Sequence, residues 1–265
     1  MLAHHDTHRD TGAGRDDAAT FLLLHAFPLS SRMWRRLVPL LAEEARVVTV
    51  DLPGLGASAV PDSGPSMAHV ADALVDVLDA CGVGRCVPFG VSTGGYAALE
   101  LAARHPDRLA GLVLGSTTTE LVEPDVPADR RAVADEVEAR GSTEPVAGSA
   151  QEGLGVTARR ERPALEAELA ALIAATDPAG VAWMARAIAA REDRTAVLAS
   201  YAGEVQLVFG AEDEATPPSR GERMRDVRRG AGRDARLDVL PATGHLTALE
   251  RPAEVAALLR RWTRR

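Results

Sequence analysis

Short apolar runs alternate with stretches of helical periodicity along most of the chain. Thr20–His25 (TFLLLH) is a continuous apolar run ending at a Pro-containing turn, the pattern of a strand covered on both faces. Met33–Glu44 follows, with Trp34, Leu37, Val38, Leu40 and Leu41 at helical spacing. The same pair recurs as Arg46–Asp51 (RVVTVD), a Gly/Pro/Ser loop and a helix over Met67–Cys81, and again as Arg85–Gly90 and a helix over Thr93–Arg104. Strand–helix alternation of this kind predicts parallel strands joined by crossover helices. Leu109–Gly115 (LAGLVLG) predicts one more buried strand. From Glu120 to Tyr201 the pattern changes: Ala, Glu and Arg recur at helical spacing and no strand stands out. The strand–helix rhythm returns with Val205–Gly210 (VQLVFG), a helix over Pro218–Arg229, a strand over Ala235–Leu240 and a closing helix over Pro252–Thr263.

The pattern predicts an α/β core over 20–119 and 202–265, a helical lid over 120–201, and a segment 1–19 that is a flexible tail or a frayed edge strand. A length of 265 residues suits one core with an insertion. No internal repeat with a period of about 20 to 50 residues is visible.

Composition narrows the chemistry. The net charge of −8, with no basic cluster interleaved with aromatics, argues against a nucleic-acid partner. No apolar run approaches the roughly 20 residues of a membrane span. Residues 1–20 lack an apolar segment of the signal-peptide kind, so a cytoplasmic location is expected. His4, His5 and His8 read as a mobile polar tail, since no further ligand pattern accompanies them, and no metal or cofactor is assigned. Cys81 and Cys86 match neither a redox nor a zinc spacing and read as reduced thiols. Arg159, Arg160 and Arg162 read as solvated helix surface. The chain contains no Lys and no Asn, which excludes Schiff-base chemistry, Ser-Lys dyads and N-glycosylation.

One constellation carries chemistry. Ser92 lies in Gly90-Val91-Ser92-Thr93-Gly94, between a predicted strand and a predicted helix. A nucleophile on so sharp a turn needs neighbours without side chains, and the helix start beside it offers N–H groups to developing negative charge. A serine hydroxyl needs a base, and His245, in the loop after the last strand (Ala242-Thr243-Gly244-His245-Leu246), is the candidate. His69 and His105 read as surface or core residues, and His25 as a loop-shaping residue. The base needs a carboxylate to orient it; Asp213, three residues after Gly210, is favoured, with Glu212 and Glu214 as adjacent competitors. Backbone N–H groups of Thr93 and Phe27 are the expected oxyanion donors. The Phe27 ring is either a wall of the substrate pocket or core packing.

The blocks LLLHAFPLSSRMW, VDLPGLGAS, FGVSTGGYAALELAARHPDRLAGLVL, VFGAEDEATPP and ATGHLTALERPAEV resemble, in order, those of the α/β-hydrolase family. Within it the likeness is to small carboxylesterases, enol-lactone hydrolases and cofactor-free haloperoxidase-like perhydrolases, and it covers Thr20 to Trp262 apart from the lid. The resemblance implies an α/β-hydrolase fold, a mostly parallel central sheet flanked by helices with a helical lid inserted after the sixth strand. It implies Ser92 as nucleophile, Asp213 as acid, His245 as base, Phe27 and Thr93 as oxyanion donors, and a structural, turn-organising Asp51. His25-Ala26 stands where the family usually has His-Gly.

The expected activity is cleavage of a carboxylic ester or lactone of a small, largely apolar substrate through an acyl-enzyme. A thioesterase, C–C hydrolase or cyclase using the same groups, or a slow-turnover ligand-binding protein, remains open, as does the oligomeric state. In the lid, Trp183, Met184 and Ile188 either line the substrate pocket or pack the helix core. Arg186 and Arg191 either contact an acidic substrate or lie on a solvated face.

Overall fold

Strands that are almost wholly apolar, as at the centre of this sheet, pack between two layers of helices because both of their faces must leave water. In the computed structural model, which describes residues 1–8, 19–121 and 126–263, this gives a sheet of seven strands. They are β1 (His4–Asp6), β2 (Thr20–Leu24), β3 (Arg46–Val50), β4 (Val87–Val91), β5 (Leu112–Gly115), β6 (Val205–Gly210) and β7 (Arg236–Leu240). Their order across the sheet is β1-β3-β2-β4-β5-β6-β7, and every neighbouring pair is parallel except β1 with β3. Phe21, Leu22, Leu23 and Leu24 of β2 are fully buried at its centre, each worth about 1.5–3 kcal/mol of transfer free energy.

The crossover helices follow their predicted boundaries where local signals are strong. The helix α2 (Met67–Ala80) starts at Ser66, whose hydroxyl accepts from the His69 N–H at 3.1 Å, and ends before Gly82 at φ +64°. Helix α3 (Thr93–Arg104) begins directly after Ser92. The single helix expected over Met33–Glu44 is divided instead into a 3-10 turn, Ser31–Trp34, and a five-residue helix α1, Val38–Ala42. Pro39 explains the break: it lacks an N–H to donate backwards and starts the second piece from its first turn. The strand expected from Leu109 begins only at Leu112; Leu109 forms an isolated bridge to Cys86, and Gly111 faces the Trp262 ring at a distance no Cβ would tolerate.

Of the two N-terminal alternatives, the described part takes that of an edge strand, and the mobile-tail reading of the histidines is corrected. His4 and His5, read as a mobile polar tail together with His8, lie in the edge strand β1. Asp6 is buried there and takes the Arg46 guanidinium at 2.6 Å. Residues 9–18 of the expected tail lie outside the described residues. The position of the lid is also recounted: among the described residues it follows the fifth strand, not the sixth, since β1 is the only strand preceding β2.

Between β5 and β6 the described chain is helical: α4 (Val126–Arg140), α5 (Ser149–Glu152), α6 (Val156–Glu161), α7 (Ala164–Ala174), α8 (Pro178–Ala189) and α9 (Thr195–Ser200). These form a cap over the C-terminal edge of the sheet. Close approach fixes α8 on the loop after β3, where Gly180 and Gly54 meet backbone to backbone with no room for a Cβ on either. Polar ties complete the seam: Arg36 with Glu168 at 3.0 Å, Arg194 with the buried Glu100 at 2.7 Å, and Thr157 with Glu212. In the core, α10 (Pro218–Gly230) follows β6, and α11 (Thr247–Glu250) and α12 (Pro252–Leu259) close the chain. No helix among the described residues is long and apolar enough to cross a membrane.

Candidate active site

The turn from β4 into α3 carries Ser92 with φ 54° and ψ −114°, a conformation unfavourable for any residue with a side chain. Surrounding contacts enforce it. A Cβ on Gly90 would overlap the Gly94 carbonyl, and one on Gly94 would overlap the Leu24 carbonyl of β2. The backbone of Ser92 is tied on both sides: its N–H donates to Gly115 at 2.9 Å, and its carbonyl accepts from Gly95 N–H at 2.8 Å and the Thr117 hydroxyl at 2.8 Å. Sequence and geometry agree on why this serine is held above the sheet edge.

His245 and Asp213 come together as the sequence suggested. Imidazole Nδ1 lies 3.0 Å from Oδ2 and 3.1 Å from Oδ1 of Asp213, whose side chain is buried. A carboxylate only accepts, so this contact places the ring proton on Nδ1 and leaves Nε2 with its lone pair. Thr216 donates its N–H to Oδ1 at 2.8 Å and fixes the carboxylate in turn. The competitors are occupied elsewhere or exposed: Glu212 accepts from Thr157 N–H at 2.8 Å and Oγ1 at 2.6 Å, which holds its carboxyl below the usual range, and Glu214 faces solvent.

The loop bearing His245 is braced by a residue the sequence did not single out. Glu250, buried in α11, accepts from Gly244 N–H at 3.0 Å and from Gly155 N–H of the cap at 3.3 Å. Burial raises its pKa, with these two N–H bonds opposing. The carboxylate therefore joins the histidine loop to the cap. No pattern in the sequence distinguishes this glutamate from others on solvated helix faces.

Ser92, Thr93, Phe27 and His245 line one cavity of about 360 Å³ between the core and the cap. Phe27 stands in the loop after β2, opposite the start of α3, and its ring is part of the wall. That loop is shaped by His25 and Asp51. His25 is fully buried, its Nδ1–H directed to the Ala26 carbonyl at 3.0 Å while Nε2 accepts from Leu52 N–H at 2.9 Å. Loss of hydration on burial pushes its pKa below 6.5. Asp51 accepts from Ser31 N–H at 2.7 Å and Ala57 N–H at 2.8 Å, and so organises the turn. Ala26, in place of the usual glycine, is buried and accommodated.

The lid residues divide. Ile188 lines the cavity. Trp183 and Met184 are corrected as pocket residues: both are buried and neither lines the cavity, Trp183 lying at the seam of cap and core, where it donates to the Ser63 carbonyl at 3.0 Å with its ring edge-on to His69. Arg186 turns away to Glu138 and Asp135, whereas Arg191 lines the cavity. Arg130, Arg220, Glu152 and Tyr96 line it as well, so the lining is mixed and not largely apolar. Elsewhere, Cys81 and Cys86 are buried and not joined in a disulfide, and burial pushes the Cys86 thiol up to about 12.

Comparison with known proteins agrees with this frame. The model of the Alpha/beta hydrolase family matches residues 21–258. A thermophilic esterase from Thermogutta terrifontis, solved with malate bound, superposes with a TM-score of 0.89 at 32% identity, over 99% of this chain and 93% of that one. The enol-lactonase of Burkholderia xenovorans LB400 superposes with a TM-score of 0.83 at 22% identity, over 98% and 95%, a likeness of fold. Among curated sequences, a putative carbamate hydrolase RutD of Caulobacter vibrioides is 38% identical over 113 residues, 42% of this chain and 40% of its own length. The pimeloyl-[acyl-carrier protein] methyl ester esterase of Aromatoleum aromaticum is 40% identical over 97 residues, 37% and 36%. The matched segments thus span less than half the length of these curated relatives.

Proposed function

The chain belongs to the alpha/beta hydrolase family, and from that premise we propose that it is a serine hydrolase that cleaves a carboxylic ester or lactone through an acyl-enzyme. The observation that carries this reading is the convergence of a strained, backbone-locked Ser92 and a carboxylate-oriented His245 on one cavity. Nε2 of His245 takes the Ser92 proton as Oγ attacks the carbonyl carbon, and Asp213 stabilises the imidazolium that forms. The tetrahedral oxyanion is held by the N–H groups of Thr93 and Phe27, the first at the positive end of α3. The imidazolium then protonates the departing alkoxide. Water enters by the reverse path, deprotonated by the same nitrogen, and releases the acid. Every step is proton transfer or carbonyl addition, so the reading calls for no cofactor, and a small molecule entering between core and cap is the only partner it requires.

The names of the similar proteins, an esterase and a methyl ester esterase among them, support the ester half of this reading. It is tested by Ser92→Ala. The variant is expected to keep the fold and to lose at least about 1,000-fold in turnover of 4-nitrophenyl acyl esters, since a residual rate survives only through binding and oxyanion contacts. A folded Ser92→Ala protein that retains more than about a tenth of the wild-type rate overturns the proposal.

A further inference from the structure

Three guanidinium groups line the cavity around Ser92: Arg130 from α4, Arg191 just beyond α8, and Arg220 from α10 of the core. Among the described residues the lining holds a single carboxylate against them, that of Glu152, which is exposed. In a chain of net charge −8 this local excess of cations is not average composition. All three arginines are half-buried, and a cation that gives up hydration needs a compensating partner.

Arg220 has one in Glu120, at 3.3 Å, a carboxylate it shares with Arg223. Arg130 and Arg191 form no close ion pair among the described residues, the Asp193 carboxylate acting on Arg191 only from a distance. Each is instead laid over an aromatic ring of the same cavity: Arg130 over Phe27 at 5.6 Å from the centroid, and Arg191 over Tyr96 at 4.3 Å. Arg191 also donates to the Glu120 carbonyl at 2.5 Å. A ring contact and a carbonyl fix the orientation of a guanidinium without neutralising it, and leave donors free for a planar anion.

We propose that Arg130 and Arg191, with Arg220 beside them, form an anion subsite, so that the substrate carries a carboxylate in addition to the ester or lactone bond that is cleaved. The proposal rests on the serine-hydrolase reading for its reaction, but not for its binding site. Paired N–H donors meet both oxygens of a carboxylate, replace the water it loses, and anchor the substrate at a fixed distance from Ser92.

Two ester pairs test it, each an anion against a neutral analogue: 4-nitrophenyl hemiglutarate against 4-nitrophenyl pentanoate, and 3-carboxy-4-nitrophenyl butyrate against 4-nitrophenyl butyrate. The first places the charge on the acyl chain, the second on the leaving group. The anionic ester is expected to have the higher kcat/KM in at least one pair. The anion-to-neutral ratio is expected to fall about 10- to 100-fold in Arg130→Gln or Arg191→Gln, the range of a lost charge-assisted hydrogen bond. Added salt lowers the same ratio, and Arg186→Gln, whose guanidinium faces Glu138, does not. A merely structural role for these arginines would lower both members of a pair together and leave the ratio in place, which would overturn the proposal.

Binding is read separately by calorimetry on Ser92→Ala, titrated with glutarate and with the neutral glutaramide. Glutarate binding that disappears in Ser92→Ala/Arg191→Gln supports the subsite even if no ester is turned over, in which case the hydrolase reading alone fails. Neutral preference in both ester pairs, or equal affinity for the diacid and the diamide, overturns the subsite while leaving the hydrolase reading intact.

Discussion

Replacing Asp213 by Asn changes one atom and, on this account, disables the base. Thr216 N–H, 2.8 Å from Oδ1, requires an acceptor and so keeps the amide oxygen of the new side chain where Oδ1 stood. The amide nitrogen then occupies the Oδ2 position, 3.0 Å from Nδ1 of His245. An N–H donor at that position competes with the Nδ1 proton, although the retained oxygen stays 3.1 Å from Nδ1, and favours the tautomer with its proton on Nε2, the nitrogen that must accept from Ser92. The wrong tautomer, together with the lost carboxylate charge beside the imidazolium, costs about 10,000-fold in kcat, or about 5.5 kcal/mol of transition-state stabilisation. The assay is steady-state hydrolysis of a 4-nitrophenyl ester by Asp213→Asn, with the melting temperature measured in parallel to show that the fold persists. A loss under about 10-fold in a folded protein would refute the argument that this carboxylate sets the tautomer.

The neighbouring carboxylate provides the contrast. Glu212→Ala removes the two hydrogen bonds to Thr157 that tie α6 to the core, a loss of about 1 kcal/mol and about 2–4 °C in Tm, with turnover of a small ester kept within about threefold; a catalytic loss as large as that of Asp213→Asn would show that the acid has been assigned to the wrong residue. Acid sensitivity should trace in part to His25. Its folded-state pKa lies below 6.5, so the unfolded chain takes up a proton that the folded chain refuses, and the stability it contributes is present above pH 6.5 and lost as pH falls towards the lowered value. Denaturant unfolding at pH 7 and pH 5.5 is expected to show the advantage of wild type over His25→Gln shrinking by up to about 1.4 kcal/mol per pH unit, and an advantage that stays constant would contradict it.

Much of this site is legible before any coordinates, because its chemistry is bound to local backbone rules. Ser92 stands out since the glycines at 90 and 94 are demanded by overlap with neighbouring carbonyls, and the flanking runs announce a strand and a helix. Asp213 is less distinct from Glu212 and Glu214, because three consecutive acids at a strand end differ only in which one the loop turns inward. The cap resists a sequence reading for a different reason. Helix α8 is buried at nearly every position from Gly180 to Ala189, so no polar face marks the side turned to the cavity, and Trp183 and Met184 are indistinguishable by pattern from Ile188. The arginines illustrate the same gap: Arg186 and Arg191 share a segment and a composition, yet one pairs with α4 and the other lines the cavity with Ser92 and His245. The edge strand β1 is left undecided against a flexible tail in the sequence because His4-His5-Asp6 is polar and short; what holds it is pairing with β3 and the Arg46–Asp6 contact, both long-range in sequence.

The account depends on Ser92 becoming covalently acylated, and rapid acid quench during turnover of a 4-nitrophenyl ester, followed by intact-mass and peptide mass spectrometry, measures this directly. The prediction is a mass increase equal to the acyl group, located on the peptide containing Ser92 and absent from Ser92→Ala. Steady hydrolysis with no acylated species at any quench time, or an acyl group carried by another residue, would contradict it.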